Sequence, residues 1–107
     1  MFKETSIRIV KTSNTVRQQM RKVCEEAKEL AEAECKSRKN DVATRVKAAE
    51  EAVDVLVATM TYLDLLIKEL NAAGLDITVD DVIELVNHKN QVRGRFNDTP
   101  VRADRDI

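Results

Sequence analysis

The chain is poor in residues that break helices and in those that build aromatic cores. Among its 107 residues are two Gly, one Pro and no Trp, and aromatic residues make up only 3%. Stretches that alternate polar and apolar residues are also few. A protein built from many short strands is therefore excluded, and long helices are favoured. The sequence predicts one small all-α domain.

Net charge is nearly absent although charged residues are abundant. They make up 35% of the chain, but 18 Lys and Arg stand against 19 Asp and Glu, which leaves a formal net charge of -1. This balance argues against nucleic acid as a partner. Uncharged stretches of about 18 residues and the apolar core of a signal peptide are both missing, which argues against a membrane partner. We expect a soluble, cytoplasmic protein.

The two cysteines, Cys24 and Cys35, both fall in the first predicted helix. Their spacing places them roughly 16 Å apart along the helix axis, too far for a disulfide within one straight helix. No second Cys or His stands near either of them to make a zinc site. We therefore expect two reduced and buried thiols.

Cap and turn residues divide the chain into a bundle of three main helices. The helices are predicted over about residues 15–38, 42–73 and 79–94. The residues expected to cap or stop them are Ser13 or Asn14, then Asp41, Gly74, and Thr78 with Asp81. Residues 1–12 are expected to form an N-terminal arm, residues 13–96 the domain, and residues 97–107 a flexible polar tail.

The segment from Ala52 to Ile67 is apolar on every side of a helix and contains no Gly, Pro, Lys or Arg. A helix that is apolar all round is buried all round. Two further helices of the same chain cannot surround it, so a second copy is expected to complete the bundle as a homodimer or homotetramer. Asp54 lies inside this segment, and we expect its carboxylate to be buried and to need a positive partner.

Two acid pairs with the same spacing stand on consecutive predicted helices. Glu26 and Glu29 form one pair, and Glu51 and Asp54 form the other. Residues three apart share a helix face, so a helix hairpin can bring the four carboxylates together. Such a group needs a cation, and oxygen ligands favour Mg²⁺, with Mn²⁺ as a substitute. The alternative is that the acids of the first helix form a solvated outer face neutralised by nearby lysines.

The third predicted helix carries Lys89 and Arg93 four residues apart, with Asn90 beside them. A pair of cations on one helix face suits the oxygens of a phosphate substrate. The alternative is that these residues only complement the dipole at the C-terminus of the helix.

These motifs, in their order along the chain, resemble those of the MazG-like all-α nucleoside triphosphate pyrophosphohydrolases. The resemblance spans about residues 15–96 and rests on Glu25, Glu26, Glu29, Glu51, Asp54, Lys89 and Arg93. It implies Mg²⁺-dependent hydrolysis of a (deoxy)nucleoside triphosphate at the α–β bond, which gives a monophosphate and pyrophosphate. It also implies a dimer or tetramer of helical bundles.

The resemblance further implies a role for each motif residue. The metal ligands would be Glu26, Glu29, Glu51 and Asp54. Besides Glu26, the catalytic residues would include Glu25, as a further ligand or as the base that orients the attacking water. The phosphates would be bound by Lys22, Lys89, Asn90 and Arg93. Many relatives place a Trp near the base, and here only Tyr62 and Phe96 could stack on one.

Two other functions fit the same residues. One is phosphoribosyl-ATP pyrophosphohydrolase, which has a related all-α fold and similar acid pairs. The other is a non-catalytic helical module that dimerises and whose acids are merely solvated.

Overall fold

A computed structural model describes residues 6–96 of the chain. Within that range the chain forms three α-helices, α1 (Val16–Lys36), α2 (Val42–Ala72) and α3 (Val79–Val92), and no strand. The all-α prediction is confirmed, because the three helices lie close to the three predicted ranges. The expected tail and the first five residues of the expected arm lie outside the described residues.

Side-chain caps fix where the helices begin. The Thr15 hydroxyl accepts from the Gln18 N–H at 3.1 Å, and Gln18 Oε1 accepts from the Thr15 N–H at 2.9 Å. The expectation that Ser13 or Asn14 caps α1 is therefore wrong, because only Thr15 stands three residues before a Gln that returns the bond. The caps expected for the other two helices, Asp41 and Thr78 with Asp81, are confirmed.

α1 and α2 form an antiparallel hairpin. Near its closed end, Arg45 Nη1 lies 3.3 Å from Glu34 Oε1, and near its open end, Gln19 Nε2 donates to the Ala58 carbonyl at 3.1 Å. The face that α1 packs on α2 includes Gln19, which is 4% exposed, and most of the Glu26 side chain. Polar groups therefore lie inside the hairpin contact, where the candidate site is found.

The apolar segment of α2 is only partly covered by its own chain. The buried apolar residues are Ala48, Ala58 and Ile67, whereas Val53 is 50% and Leu56 is 48% exposed. Asp54, which lies between them, is exposed too, so the expectation of a buried Asp54 is wrong for the single chain. α1 covers one face of α2 and nothing in the described residues covers the face that carries these side chains.

Both cysteines are exposed free thiols, so their expected burial is also wrong. Cys24 and Cys35 lie on α1, which packs on α2 through one face only, and no other helix of the described chain contacts α1. A side chain on the remaining faces of α1 thus stays in solvent.

α3 follows a tight turn and packs only lightly on α2. The Asn71 side chain holds this turn, since its Nδ2 donates to the Ile77 carbonyl at 2.9 Å and its Oδ1 accepts from the Ile77 N–H at 3.0 Å. α3 makes no contact with α1 among the described residues. In the described part of the chain, none of the helices has the length and apolar character needed to cross a membrane.

Candidate metal centre

Three carboxylates meet where α1 packs on α2. Glu26, Glu51 and Asp54 each present an oxygen atom, and these atoms all lie within 4.8 Å of one another. The side chains of Glu26 and Glu51 are 13% and 9% exposed, because they lie in the contact between the helices. Asp54 is exposed at the edge of that contact. The cluster thus has two enclosed acids and one acid open to an incoming ligand.

Glu51 is the most enclosed acid of the cluster. Its Oε1 lies 2.9 Å from Lys47 Nζ, while its Oε2 is buried and has no hydrogen-bond partner among the described residues. Burying a polar group without a partner costs about 1–3 kcal/mol, and more for a charged group. A cation held by the cluster would supply the missing partner, so the donor set fits a hard divalent metal.

Both α1 and α2 carry a lysine one helical turn before their enclosed acid. Lys22 Nζ lies 3.0 Å from Glu26 Oε1, in the same relation as Lys47 to Glu51. The hydrogen bond to its acid raises the pKa of each lysine, and the bond from Lys22 lowers the pKa of Glu26. Without a metal, the two lysines therefore offset part of the negative charge of the cluster.

Glu29 stands beside the three clustered acids. A hydrogen bond shared with Glu26 raises the pKa of Glu29, and the charge of Glu26, loss of hydration and the charge of Glu51 raise it further. Repulsion between neighbouring carboxylates has this effect on a pKa. The structure therefore brings together three of the four acids expected as metal ligands, and Glu29 lies near enough to interact with Glu26 and Glu51 without belonging to the group of three.

The remaining expected site residues lie farther from the cluster. The Glu25 side chain is 67% exposed, and one of its oxygens lies 4.0 Å from Lys22 Nζ. Lys89 and Asn90 lie on α3 and Arg93 is its C-cap, so they belong to the helix that does not contact α1. None of these four lines the two cavities beside the cluster. Their roles stay predictions.

The cluster separates two cavities. The first, of about 290 Å³, lies toward the closed end of the hairpin and is lined by Glu29, Glu32, Ala33, Lys36, Thr44, Lys47 and Glu51. The second, of about 240 Å³, lies toward the open end and is lined by Val10, Thr12, Asn14, Gln19, Lys22, Glu26, Asp54, Val57 and Ala58. We call the second one the arm cavity, because residues before α1 form part of its wall. A ligand at the cluster thus has room on both sides.

Sequence reasoning missed Gln19 and the arm residues of this cavity. Gln19 stands two helical turns before Glu26, on the same face of α1, and it is buried. That spacing was the available signal, but a polar side chain is normally assigned to the outer face of a helix.

No protein-family model, curated protein or solved structure gives a significant match to the chain. The likeness to the pyrophosphohydrolases consequently rests on the motif residues of the sequence alone and stays a prediction.

Proposed function

We propose that the chain is a divalent-cation-dependent hydrolase that splits a nucleoside triphosphate at the α–β bond into a monophosphate and pyrophosphate. The observation that carries the proposal is the buried and unpartnered Oε2 of Glu51 inside a cluster of carboxylates. Buried side-chain oxygen atoms are nearly always hydrogen-bonded, and this one lies where a cation bound by the cluster would supply the partner.

The residues that would hold Mg²⁺, or Mn²⁺ in its place, are Glu26, Glu51 and Asp54, with Glu29 beside them. When bound, such an ion binds phosphate oxygens and lowers the pKa of a water molecule. Glu29, whose pKa the neighbouring Glu26 raises, is the candidate for the base that accepts a proton from that water. Glu25 is the weaker candidate for that role, because it lies in solvent beside Lys22.

The lysines of the cluster are the nearest groups that could bind phosphate. Lys22 and Lys47 have side chains that are 50% and 61% exposed, and each lines one of the two cavities. With a cation at Glu26 and Glu51, the two lysines would be attracted to these acids less strongly, and each ammonium group could turn toward a phosphate.

A second copy of the chain would complete the site. Val53 and Leu56 are about half exposed, so α2 has an apolar surface that the described residues leave partly uncovered. A homodimer or homotetramer would bury that surface. The partner copy would also be the source of Lys89, Asn90 and Arg93, which α3 does not bring to the cluster of its own chain.

The test is pyrophosphate release from ribo- and deoxyribonucleoside triphosphates and from phosphoribosyl-ATP, with Mg²⁺ and with a chelator. We expect release that requires the metal and is lost in Glu51→Gln. The matched control is Asp64→Asn, since Asp64 also lies on α2 and also pairs with a lysine four residues away, Lys68 at 3.0 Å. Asp64 is not part of the cluster, so its variant should keep the activity. Release of pyrophosphate from phosphoribosyl-ATP alone would show that the chain is a phosphoribosyl-ATP pyrophosphohydrolase.

A non-catalytic helical module is the second candidate function. The observation that favours it is that both enclosed acids, Glu26 and Glu51, already have a lysine partner within 3.0 Å. It predicts no pyrophosphate release from any substrate and no change of stability with divalent cations.

A further inference from the structure

The segment before α1 is attached to the hairpin at a defined point. The Val10 N–H donates to Thr61 Oγ1 at 3.0 Å, and the Thr61 hydroxyl in turn donates to the Val57 carbonyl at 2.8 Å. Thr61 is only 2% exposed. The arm is thereby held against α2, where it closes one side of the arm cavity.

A chain of amide groups fixes the orientation of Asn14 in that cavity. The Ala58 carbonyl can only accept a hydrogen bond, so the group that Gln19 presents to it must be its NH₂. Gln19 then presents its Oε1 to Asn14. Asn14 Nδ2 donates a hydrogen bond to this oxygen at 3.0 Å. The free end of the Asn14 amide is consequently Oδ1, which has no hydrogen-bond partner among the described residues.

The neighbouring hydroxyl is oriented in the same way. Thr12 Oγ1 accepts from the Asn14 N–H at 3.0 Å, which leaves its O–H available to donate. The arm cavity therefore offers one oriented acceptor, Asn14 Oδ1, and one donor, the Thr12 hydroxyl. Both side chains line the cavity.

The remaining wall of the arm cavity is aliphatic and leads to the acids. Val10, Val57 and Ala58 supply apolar surface, while Glu26 and Asp54 form the end nearest the cluster. The volume of about 240 Å³ is just below the roughly 300–1,000 Å³ of pockets that enclose a drug-sized ligand, and so suits one ring system. Neither Tyr62 nor Phe96 lines it, so a base there would contact aliphatic side chains instead of stacking on an aromatic ring.

We propose that the arm cavity binds the base of the nucleotide and that Asn14, fixed through Gln19 by the Ala58 carbonyl, selects bases whose Watson–Crick edge places an amino group beside an unprotonated ring nitrogen, as in cytosine and adenine. The inference rests on the proposed function for the identity of the ligand as a nucleotide. Its phosphates would then lie at the acid cluster, with the β and γ phosphates toward Lys36 and Lys47.

The selectivity follows from pairing donors with acceptors. The amino group of cytosine donates to Asn14 Oδ1, while the ring nitrogen beside it accepts from the Thr12 hydroxyl. Uracil and thymine place a carbonyl oxygen where the amino group would be. Two acceptors would then face each other, and the oriented Asn14 amide cannot turn over without losing its bond to Gln19.

The test is the binding of deoxynucleoside monophosphates by calorimetry, with Mg²⁺ present. We expect the wild-type chain to bind dCMP and dAMP at least about tenfold more tightly than dUMP and TMP. Asn14→Ala should reduce that ratio to within about twofold. The control is Ser13→Ala, on the same arm but outside the cavity lining, and it should keep the wild-type ratio. Equal affinities for dCMP and dUMP in the wild type, or a ratio that Asn14→Ala leaves unchanged, would overturn the proposal.

A second readout covers the case in which Asn14→Ala does not fold. The side-chain NH₂ signals of Asn14 and Gln19 in the wild-type protein should shift in NMR spectra on addition of dCMP and not of dUMP, and identical responses would refute the assignment. Failure of this proposal and of the proposed function are distinguishable. Pyrophosphate released equally from dCTP and dUTP would support hydrolysis and refute the base selection. A preference for dCMP without any pyrophosphate release would support the base selection and refute the hydrolysis.

Discussion

Replacing Glu51 by Gln tests the metal centre directly, through stability instead of turnover. The substitution keeps the shape of the side chain and removes its charge. In the metal-free protein it loses the ion pair with Lys47, which is 61% exposed at its lysine end but only 9% exposed at Glu51. It also removes the charge from an oxygen that is buried without a partner among the described residues, and these two effects oppose each other. It also removes the repulsion from Glu26 and Asp54. We therefore expect the metal-free variant to differ little from the wild type in its free energy of unfolding.

Mg²⁺ should stabilise the wild type more than it stabilises Glu51→Gln. A cation at about 100 times its dissociation constant adds about 2.7 kcal/mol to the free energy of unfolding. For a domain of this size that corresponds to an increase of roughly 10–20 °C in Tm. Glu51→Gln removes the most enclosed ligand, so most of this increase should be lost. Asp64→Asn, whose acid lies outside the cluster, should keep it.

The assay is thermal unfolding followed by circular dichroism, with MgCl₂ against NaCl at matched ionic strength. The matched salt is needed because salt alone screens the repulsion among the carboxylates. Equal Tm values in the two salts would show that no specific cation binds. An equal Mg²⁺ effect in the wild type and in Glu51→Gln would show that the cation binds elsewhere.

Two further predictions concern the fourth acid and the apolar surface. The pKa of Glu29 is raised in the folded chain, so its contribution to stability is complete below the ordinary value of 4.5 and is lost as pH rises through the folded pKa. Metal-free wild type should therefore lose stability over that interval relative to Glu29→Gln, and parallel profiles in denaturant titrations would contradict this. Val53→Lys, placed on the exposed surface of α2, should give a monomer by light scattering where the wild type forms an oligomer. A wild type that is itself monomeric at micromolar concentration would refute the second copy.

The sequence was sufficient for the helices but not for their packing. Few Gly and Pro, and caps such as Asp41 and Thr78, act locally, so they place the helix ends without knowledge of the fold. Which acid is buried depends on how α1 is aligned against α2. A local sequence pattern does not predict this alignment. Spacing predicted that Glu51 and Asp54 point the same way, yet only Glu51 turned out to be enclosed. Cys24 was expected to be buried because of its residue type, although no helix within residues 6–96 covers it.

The polar groups inside the hairpin contact are what favours a binding function over a structural one. Gln19, Glu51 and Thr61 occupy buried positions between α1 and α2, where well-packed apolar side chains would give equal or greater stability. Gln19 and Thr61 are each bonded to a carbonyl of α2, so their polar groups are satisfied at little cost. The Glu51 carboxylate is not satisfied, because its Oε2 has no hydrogen-bond partner among residues 6–96. The unpartnered oxygen of Glu51 lowers the stability of the fold, and it lies between the two cavities. Functional sites are the places where a fold departs from its most stable packing.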